Sequence, residues 1–278
     1  MHSSAEHPPV ISIGATPPPL TKRLRELWRY RELLFFLAWR DIKVRYRQTV
    51  LGILWAMLQP ILMMLLFAVV FGRLGRMPSE GVPYALFAYV GLLPWTFFSN
   101  AVTESGNSLV ANPDLITKVY LPRVLVPAAT IVASMVDFAI GFVLLIGLMA
   151  YYGVGVTSAV LMLPLLTILL AVLALAVGMW LAALNVRYRD VRHALPFAIQ
   201  LWLLASPVIY PSTLVPPEWR PLLLLNPLTG IIEGYRSSLL DRPFDWVAIC
   251  ASMTLTLLAL LYALHYFRRV DKSFADII

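Results

Sequence analysis

Asp137 is the only Asp, Glu, Lys or Arg among the 63 residues from Val124 to Val186. A carboxylate in so apolar a run has two chemical uses, as a carrier of protons or as the partner of a buried polar group. A charge at mid-bilayer costs roughly 2.5–3.5 kcal/mol on insertion scales. Asp137 is therefore expected against a polar partner or beside a water-filled path. One acid without an intramembrane base is a poor proton relay, so any uphill movement must draw its energy from another chain. The four histidines, His2, His7, His193 and His265, are scattered, and no H-E-x-x-H or His/Cys cluster offers a metal centre. There is no G-x-x-x-x-G-K-[ST] phosphate loop and no G-x-S-x-G nucleophile elbow. Arg187, Arg189, Asp190 and His193 form a dense polar cluster, which reads as a short turn at a membrane edge rather than a catalytic set. Cys250 is the single cysteine, so no internal disulfide forms. The chain is thus expected to be no enzyme and to bind no cofactor or metal of its own.

The elements that must hold these residues follow from composition. Of 278 residues, 60% are hydrophobic and 13% charged, with a mean hydropathy of +0.77. A soluble domain has about 45–50% apolar and about 25% charged residues. That difference excludes an ordinary soluble enzyme and a nucleic-acid-binding chain, despite the net charge of +7. In an integral membrane protein Lys and Arg mark the cytoplasmic side.

A spanning helix needs about 20 mainly apolar residues. Charge-free runs of 25, 23, 24 and 22 residues occur at Gln48–Gly72, Gly81–Thr103, Ala194–Pro217 and Trp246–Phe267, and Val124–Val186 is long enough for two spans with a turn near Tyr151–Gly155. The expected fold is all-α, with six transmembrane helices. The 12-residue run Pro221–Ile232 is too short to span and is interrupted at Asn226-Pro227. It predicts two short re-entrant helices in the outer leaflet before the last span, with Glu233 and Arg236 near the outer headgroups or a channel mouth. Seventeen Lys and Arg fall in 1–49, 104–126, 185–195 and 268–278, against five in the intervening loops. Both termini are therefore expected in the cytoplasm.

Residues 1–21 are proline-rich and read as a mobile tail, with no signal peptide. Residues 22–48 place Leu24, Leu27, Trp28, Leu34, Phe35, Ala38, Trp39, Ile42 and Tyr46 at helical steps, which predicts a basic amphipathic helix on the membrane surface. Residues 49–267 carry the six spans and 268–278 a cytoplasmic tail. Ala174, Gly178 and Ala182, and likewise Gly52 and Ala56, form small-residue ladders suited to close helix packing. In 104–126, Asn112-Pro113-Asp114 is a helix start, with Asn112 as N-cap and Leu115, Ile116, Val119 and Tyr120 as apolar knobs after it.

Several segments carry a family resemblance: Trp39-Arg40-Asp41-Ile42-Lys43-Val44-Arg45-Tyr46, Leu51-Gly52-Ile53-Leu54-Trp55, Gln59-Pro60, Gly91-Leu92-Leu93-Pro94-Trp95-Thr96-Phe97-Phe98, Lys118-Val119-Tyr120-Leu121-Pro122-Arg123, Asn185-Val186-Arg187-Tyr188-Arg189-Asp190, Ser206-Pro207-Val208-Ile209-Tyr210 and Asn226-Pro227-Leu228-Thr229-Gly230-Ile231-Ile232-Glu233. In this order, from about residue 25 to the end, the chain resembles the permease subunits of ABC-2 type exporters, in the branch that exports O-antigen, capsule or teichoic-acid polymers. The resemblance implies a homodimer in the bacterial inner membrane, working with two copies of a separate ATPase that binds ATP and Mg. It also implies a lipid-linked glycan substrate, an interface helix carrying Trp28, Trp39, Arg40 and Arg45, and a coupling helix around 112–121 that docks on the ATPase. An exporter of a drug, a lipid or another small hydrophobic molecule has the same architecture and is the alternative. Sugar rings pack their apolar faces on aromatic side chains. Phe67, Phe71, Trp95, Phe97, Phe98, Trp202 and Tyr210 are accordingly candidate channel residues, against the plainer reading of packing or interfacial-belt aromatics.

Overall fold

The protein is described by a computed structural model over residues 30–47, 53–118, 121–188 and 190–271. All regular structure among the described residues is helical. Helix α1 (Arg31–Arg47) precedes α2 (Ile53–Phe67), which continues as a π-helical turn over Ala68–Leu74. Then come α3 (Tyr84–Ala111), the short α4 (Pro113–Lys118), α5 (Leu125–Tyr151), a 3-10 turn (Ser158–Met162) and α6 (Leu163–Arg187). Helix α7 (Val191–Ala205), a 3-10 turn (Ser212–Leu214), α8 (Arg220–Leu224), α9 (Pro227–Leu239) and α10 (Trp246–Asp271) complete the order. The tail 1–21 and Trp28 lie outside the described residues, as do Val119, Tyr120 and Gly52.

Lipid offers backbone amides no partners, so charge-free runs close their hydrogen bonds internally as helices. Among the described residues five helices are long and apolar enough to cross a membrane: Met57–Leu74, Tyr84–Ala111, Leu125–Tyr151, Ser158–Arg187 and Trp246–Asp271. The turn expected near residue 151 is present, and Gly153 supplies it with a φ of 67°. Two sequence expectations are corrected. The second span does not end at Thr103 but runs to Ala111, so Glu104 belongs to a membrane helix and not to a loop. The expected fifth span, 194–217, is a 15-residue helix, shorter than a full span. At 1.5 Å per residue α7 covers about 22 Å of a roughly 30 Å hydrocarbon layer. An irregular but buried stretch from Ser206 to Ile209 follows it.

Helix α3 is the hub, packed against α2, α5, α6, α7 and α9. Gly178 of α6 allows one of these contacts, since a Cβ there would lie 2.4 Å from Ser105 Oγ of α3. Ala174 and Ala182 of the same ladder are buried. The two ends of the bundle differ. At one end Leu37 and Ala38 of α1 pack with Leu109, Leu125, Val186 and Val270, where α3, α6 and α10 finish and α5 starts. The other end carries the turns at 75–83 and 152–162 and the whole segment from Ser206 to Asp245. The break at Asn226-Pro227 separates two short helices, α8 and α9, as expected. The 13-residue α9 is too short to cross.

Helix α1 meets the bundle with only part of its expected apolar face. Leu37 and Ala38 are buried, whereas Phe35 and Trp39 are 68% and 48% exposed and stack on one another. The inward face carries Arg45, and the aromatic face is exposed on the outside of the bundle.

Candidate functional site

From Leu86 to Leu109 only six residues of α3 are not buried: Thr96, Ser99, Asn100, Thr103, Glu104 and Asn107. All six are polar. Their steps of three and one fall on a single stripe of a 3.6-residue helix. Some of this polarity is satisfied within the helix, since Thr103 Oγ1 donates to Ser99 O at 2.7 Å and Asn107 Nδ2 to Thr103 O at 2.9 Å. The rest faces two cavities. The larger, about 670 Å³, lies among α1, α2, α3 and α5, with Gln59, Thr96, Asn100, Ser134 and Asp137 as polar lining and Trp55, Phe97 and Phe138 as aromatic lining. The smaller, about 230 Å³, lies among α2, α3 and α7 and adds Trp95, Ser99 and Gln200. Gln59, Pro60, Met63, Thr96 and Asn100 line both, so the two form one groove divided by α2.

The α1 end of the larger cavity is closed by charge. Arg45 Nη1 donates to Asp137 Oδ2 on α5 and Nη2 to Glu104 Oε2 on α3. Tyr46 Oη donates to Asp137 Oδ1, and Ser134 Oγ to Glu104 at 3.3 Å. Burial first, and then Asp137, push the Tyr46 hydroxyl above its ordinary range, which keeps it a donor. Asp137 thus has the polar partner that its apolar surroundings demand, in a partly accessible ion pair. One guanidinium ties the interface helix to two spanning helices.

The candidate channel aromatics are divided by the structure. Phe97 lines the larger cavity and Trp95 the smaller, each with a small exposed remainder. Phe98 is fully buried and packs edge-on against Trp202 at 5.1 Å, so it is a core residue rather than a channel surface. Phe67 is buried and touches Phe71 at 5.7 Å. Trp202 is anchored by its indole N–H to Asn226 Oδ1 at 3.0 Å, and Tyr210 lies beyond the end of α7.

Arg236, expected near the outer headgroups or a channel mouth, is instead enclosed by the protein. It is 0% exposed, with its guanidinium 3.8 Å from the ring centroid of Phe87. It donates to Pro207 O and Val208 O at 2.7 Å, to Tyr210 O at 3.4 Å and to Glu233 at 3.1 Å. These carbonyls belong to the irregular stretch after α7, where no helix satisfies them. Non-helical backbone at membrane depth persists only when buried in protein, and Arg236 supplies the donors. Glu233 also accepts from the Ser212 amide at 3.2 Å.

In the expected coupling segment, α4 is present with Asp114 in its first turn, and Asp114 pairs with Lys118 at 2.7 Å on an exposed surface. Asn112 stands directly before α4 and also serves the helix before it. It is the C-cap of α3, and its side chain donates to Ser108 O at 2.9 Å. Leu115 packs against the cluster at the α1 end.

The model of the ABC-2 type transporter family matches residues 32–240, about three quarters of the chain. The chain belongs to the ABC-2 type transporter family. It is a multi-pass membrane protein and a transport subunit. It is similar to the O-antigen export system permease protein RfbA of Myxococcus xanthus, with 32% identity over 92% of this chain and 99% of that protein. The protein of the same name from Klebsiella pneumoniae is 25% identical over 89% and 95% of the two chains. The polysialic acid transport protein KpsM of Escherichia coli is 25% identical over 84% and 92%. The matched region of this ABC-2 chain runs from α1 to the end of α9 and contains every residue lining the two cavities. Sequence reasoning missed Tyr46, Gln59, Thr96, Asn100, Glu104 and Gln200. The signal available was the helical spacing of polar residues from Thr96 to Asn107, obscured by ending the span at the first charge.

Proposed function

We propose that the chain is the permease subunit of an ABC exporter that moves a lipid-linked polysaccharide, of O-antigen, capsule or teichoic-acid type, from the cytoplasmic side across the bacterial inner membrane. The observation that carries this reading is the all-polar accessible stripe of α3 facing a groove with aromatic walls. Sugars offer hydroxyls for Thr, Asn and Gln and apolar ring faces for Trp and Phe. A drug or lipid exporter has no use for an uninterrupted polar stripe in its most enclosed helix. The relatives named for O-antigen and polysialic acid export support the polymer reading.

The working unit is a homodimer with two copies of an ATPase subunit, on which ATP and Mg are bound. Both termini, α1, α4 and the basic turn at 187–192 face the cytoplasm, as the positive-inside rule requires. The ATPase docks on α4 and the residues that follow it. Movement of α1 is felt at the groove because Arg45 is fastened to α3 and α5. The segment from α8 to α9 closes the outer end.

The test is to replace Thr96 and Asn100 together by Leu, which keeps the helix and removes hydrogen bonding from the groove. Surface polymer is expected to fall at least about tenfold, the effect of roughly 1.4 kcal/mol, with lipid-linked polymer accumulating inside and normal amounts of permease in the membrane. Unchanged surface polymer with the double variant in place would overturn the reading.

A further inference from the structure

We infer that the seam between α6 and α10, at the α1 end of the bundle, binds the headgroup of an anionic phospholipid. Arg187 and Arg269 hold its phosphate, and Trp180, Tyr262 and Tyr266 seat the glycerol and the upper acyl chains. The inference does not depend on what the groove carries, since none of these residues lines either cavity.

The placement follows from helix geometry. Met179, Ala183 and Val186 of α6 pack with Ala263, Phe267 and Val270 of α10. Both helices finish at the α1 end, so they run parallel. Beside this seam the Trp180 ring meets Tyr262 edge-on with centroids 6.3 Å apart, and Tyr262 stacks on Tyr266 at 6.2 Å. Arg187 stands seven residues beyond Trp180, and Arg269 seven beyond Tyr262. Seven residues of helix fall about 20° short of two turns and advance about 10 Å. Parallel helices whose rings touch at one level therefore carry the two arginines on the same flank, one step nearer to water.

Both arginines are exposed, and among the described residues neither forms an ion pair. The Arg187 guanidinium lies 5.3 Å from the Tyr188 ring centroid, a neutral contact that leaves its N–H groups free for an anion. Asp271, close to Arg269 in sequence, is turned away from it by about 200° and is held by Arg123 at 3.0 Å. Tyr262 is 56% exposed. Among the described residues the Trp180 indole and the Tyr262 and Tyr266 hydroxyls have no hydrogen-bond partner.

This combination fits one chemistry. Trp and Tyr settle at the level of the lipid headgroups. A guanidinium presents a planar fork that matches phosphate oxygens, and basic sites between helices take anionic headgroups. A zwitterionic lipid brings an ammonium group to the same two cations and is disfavoured. A scattered aromatic belt or a lone basic tail would hold any lipid, whereas here three rings and two free arginines meet at one seam.

The test titrates the permease assembled with its ATPase, in neutral detergent, with phosphatidylglycerol or phosphatidylcholine of the same acyl chains, and counts bound lipid by native mass spectrometry. Phosphatidylglycerol is expected to bind at a concentration at least about tenfold lower. In Arg187→Gln/Arg269→Gln the two lipids are expected to bind within about threefold of one another. Arg187→Lys/Arg269→Lys keeps the charge and is expected to keep most of the preference. Arg268→Gln alters a neighbour about 100° away on the helix and is expected to change nothing. Equal binding of the two lipids to the wild type would overturn the inference. A loss in Arg268→Gln as large as in the double Gln variant would overturn it too, since it would show a diffuse basic edge and not a site at this seam. If a polyprenyl diphosphate binds and phosphatidylglycerol does not, the arginines serve a transported lipid and the inference falls, with the reading of the groove left standing. Should the double variant fail to assemble, Arg269→Gln alone decides, and an unchanged preference there would count against the site.

Discussion

Arg236 shows at the scale of one residue why an arginine can be wholly buried in a membrane protein. Its planar fork meets carbonyls at Pro207 and Val208 together with the Glu233 carboxylate, while its face rests on Phe87. A lysine has three donors but on a single nitrogen, so it cannot reproduce the planar two-nitrogen spread that meets these carbonyls. Replacing Arg236 by Met keeps the volume and removes all of these donors. Glu233 then lacks its cation, and the irregular stretch after α7 lacks its partners. The expected loss is about 3–5 kcal/mol, the usual cost of breaking a buried pair, visible as a lower melting temperature of the purified permease. Arg236→Lys is expected to recover only part of that stability. A Met variant as stable as the wild type would show that the carbonyls are satisfied by other means. Arg45 is a contrasting case. It is partly accessible, and its two ion pairs are weakened by solvent, so each contributes less to stability than the enclosed contacts of Arg236.

Elements follow from such residues. Helix α7 stops at Ala205, and Asn226 joins that end to the start of α9. Its Oδ1 accepts from the Leu228 amide at 3.1 Å and from the Trp202 indole at 3.0 Å, while its Nδ2 donates to Ser206 Oγ at 2.8 Å. Pro227 at the first helical position completes a favourable start. Helix α9 then packs against α10 through Gly230, where a Cβ would lie 2.1 Å from the carbonyl oxygen of Ala248 and 2.6 Å from Ser252 Oγ. The Gly230 amide donates to that same Ser252 hydroxyl at 3.0 Å. Since the obstructing atom is backbone, Gly230→Ala must push α9 away from α10. A loss of about 3 kcal/mol is expected, the upper end of overpacking costs, measured by thermal or denaturant unfolding in detergent. Gly147→Ala, with open space around its Cβ, is the control and is expected to be neutral. Equal stability of the two variants would show that the α9–α10 contact yields without cost.

For the whole molecule, the two ends of the bundle must lie on opposite sides of the membrane. Single cysteines can be placed in a Cys250→Ser background. Gly155→Cys and Ser212→Cys are expected to react with an impermeant reagent added outside intact cells, whereas His193→Cys and Lys118→Cys are expected to react only after permeabilisation. Outside labelling at residue 193 or 118 would invert the proposed orientation, and with it the face on which the ATPase docks. The assignment has a physical basis in the exclusion of Lys and Arg from the translocated side, which places the basic turn at 187–192 with the α1 end.

The sequence alone determined that this is a multi-pass helical membrane protein with a further helix before its first span and two short helices before its last, because lipid excludes charge and unpaired backbone over lengths that can be counted. It also determined the family, through segments whose order survives divergence, and the demand of Asp137 for a partner. It did not determine which partner. Arg45 is 92 residues away and Glu104 33 residues away, and only the packing of α1 and α3 on α5 brings the three together. Ending a span at its first charge placed Glu104 in a loop, when an ion pair allows a helix to carry a carboxylate inside the membrane. Helical spacing put Phe35 and Trp39 on the apolar face of α1 expected at the membrane surface, and both are exposed on the outside of the bundle, but that Leu37 and Ala38 are the residues buried against it only the packing decided. The aromatics were equally ambiguous: Phe97 and Phe98 are neighbours in sequence, yet 100° of helical rotation leaves one on the groove and the other in the core. Arg236 read as an outer-surface residue because charge in a short apolar segment normally seeks water. It is buried because α7 ends early and leaves carbonyls that only the folded chain can bring to it.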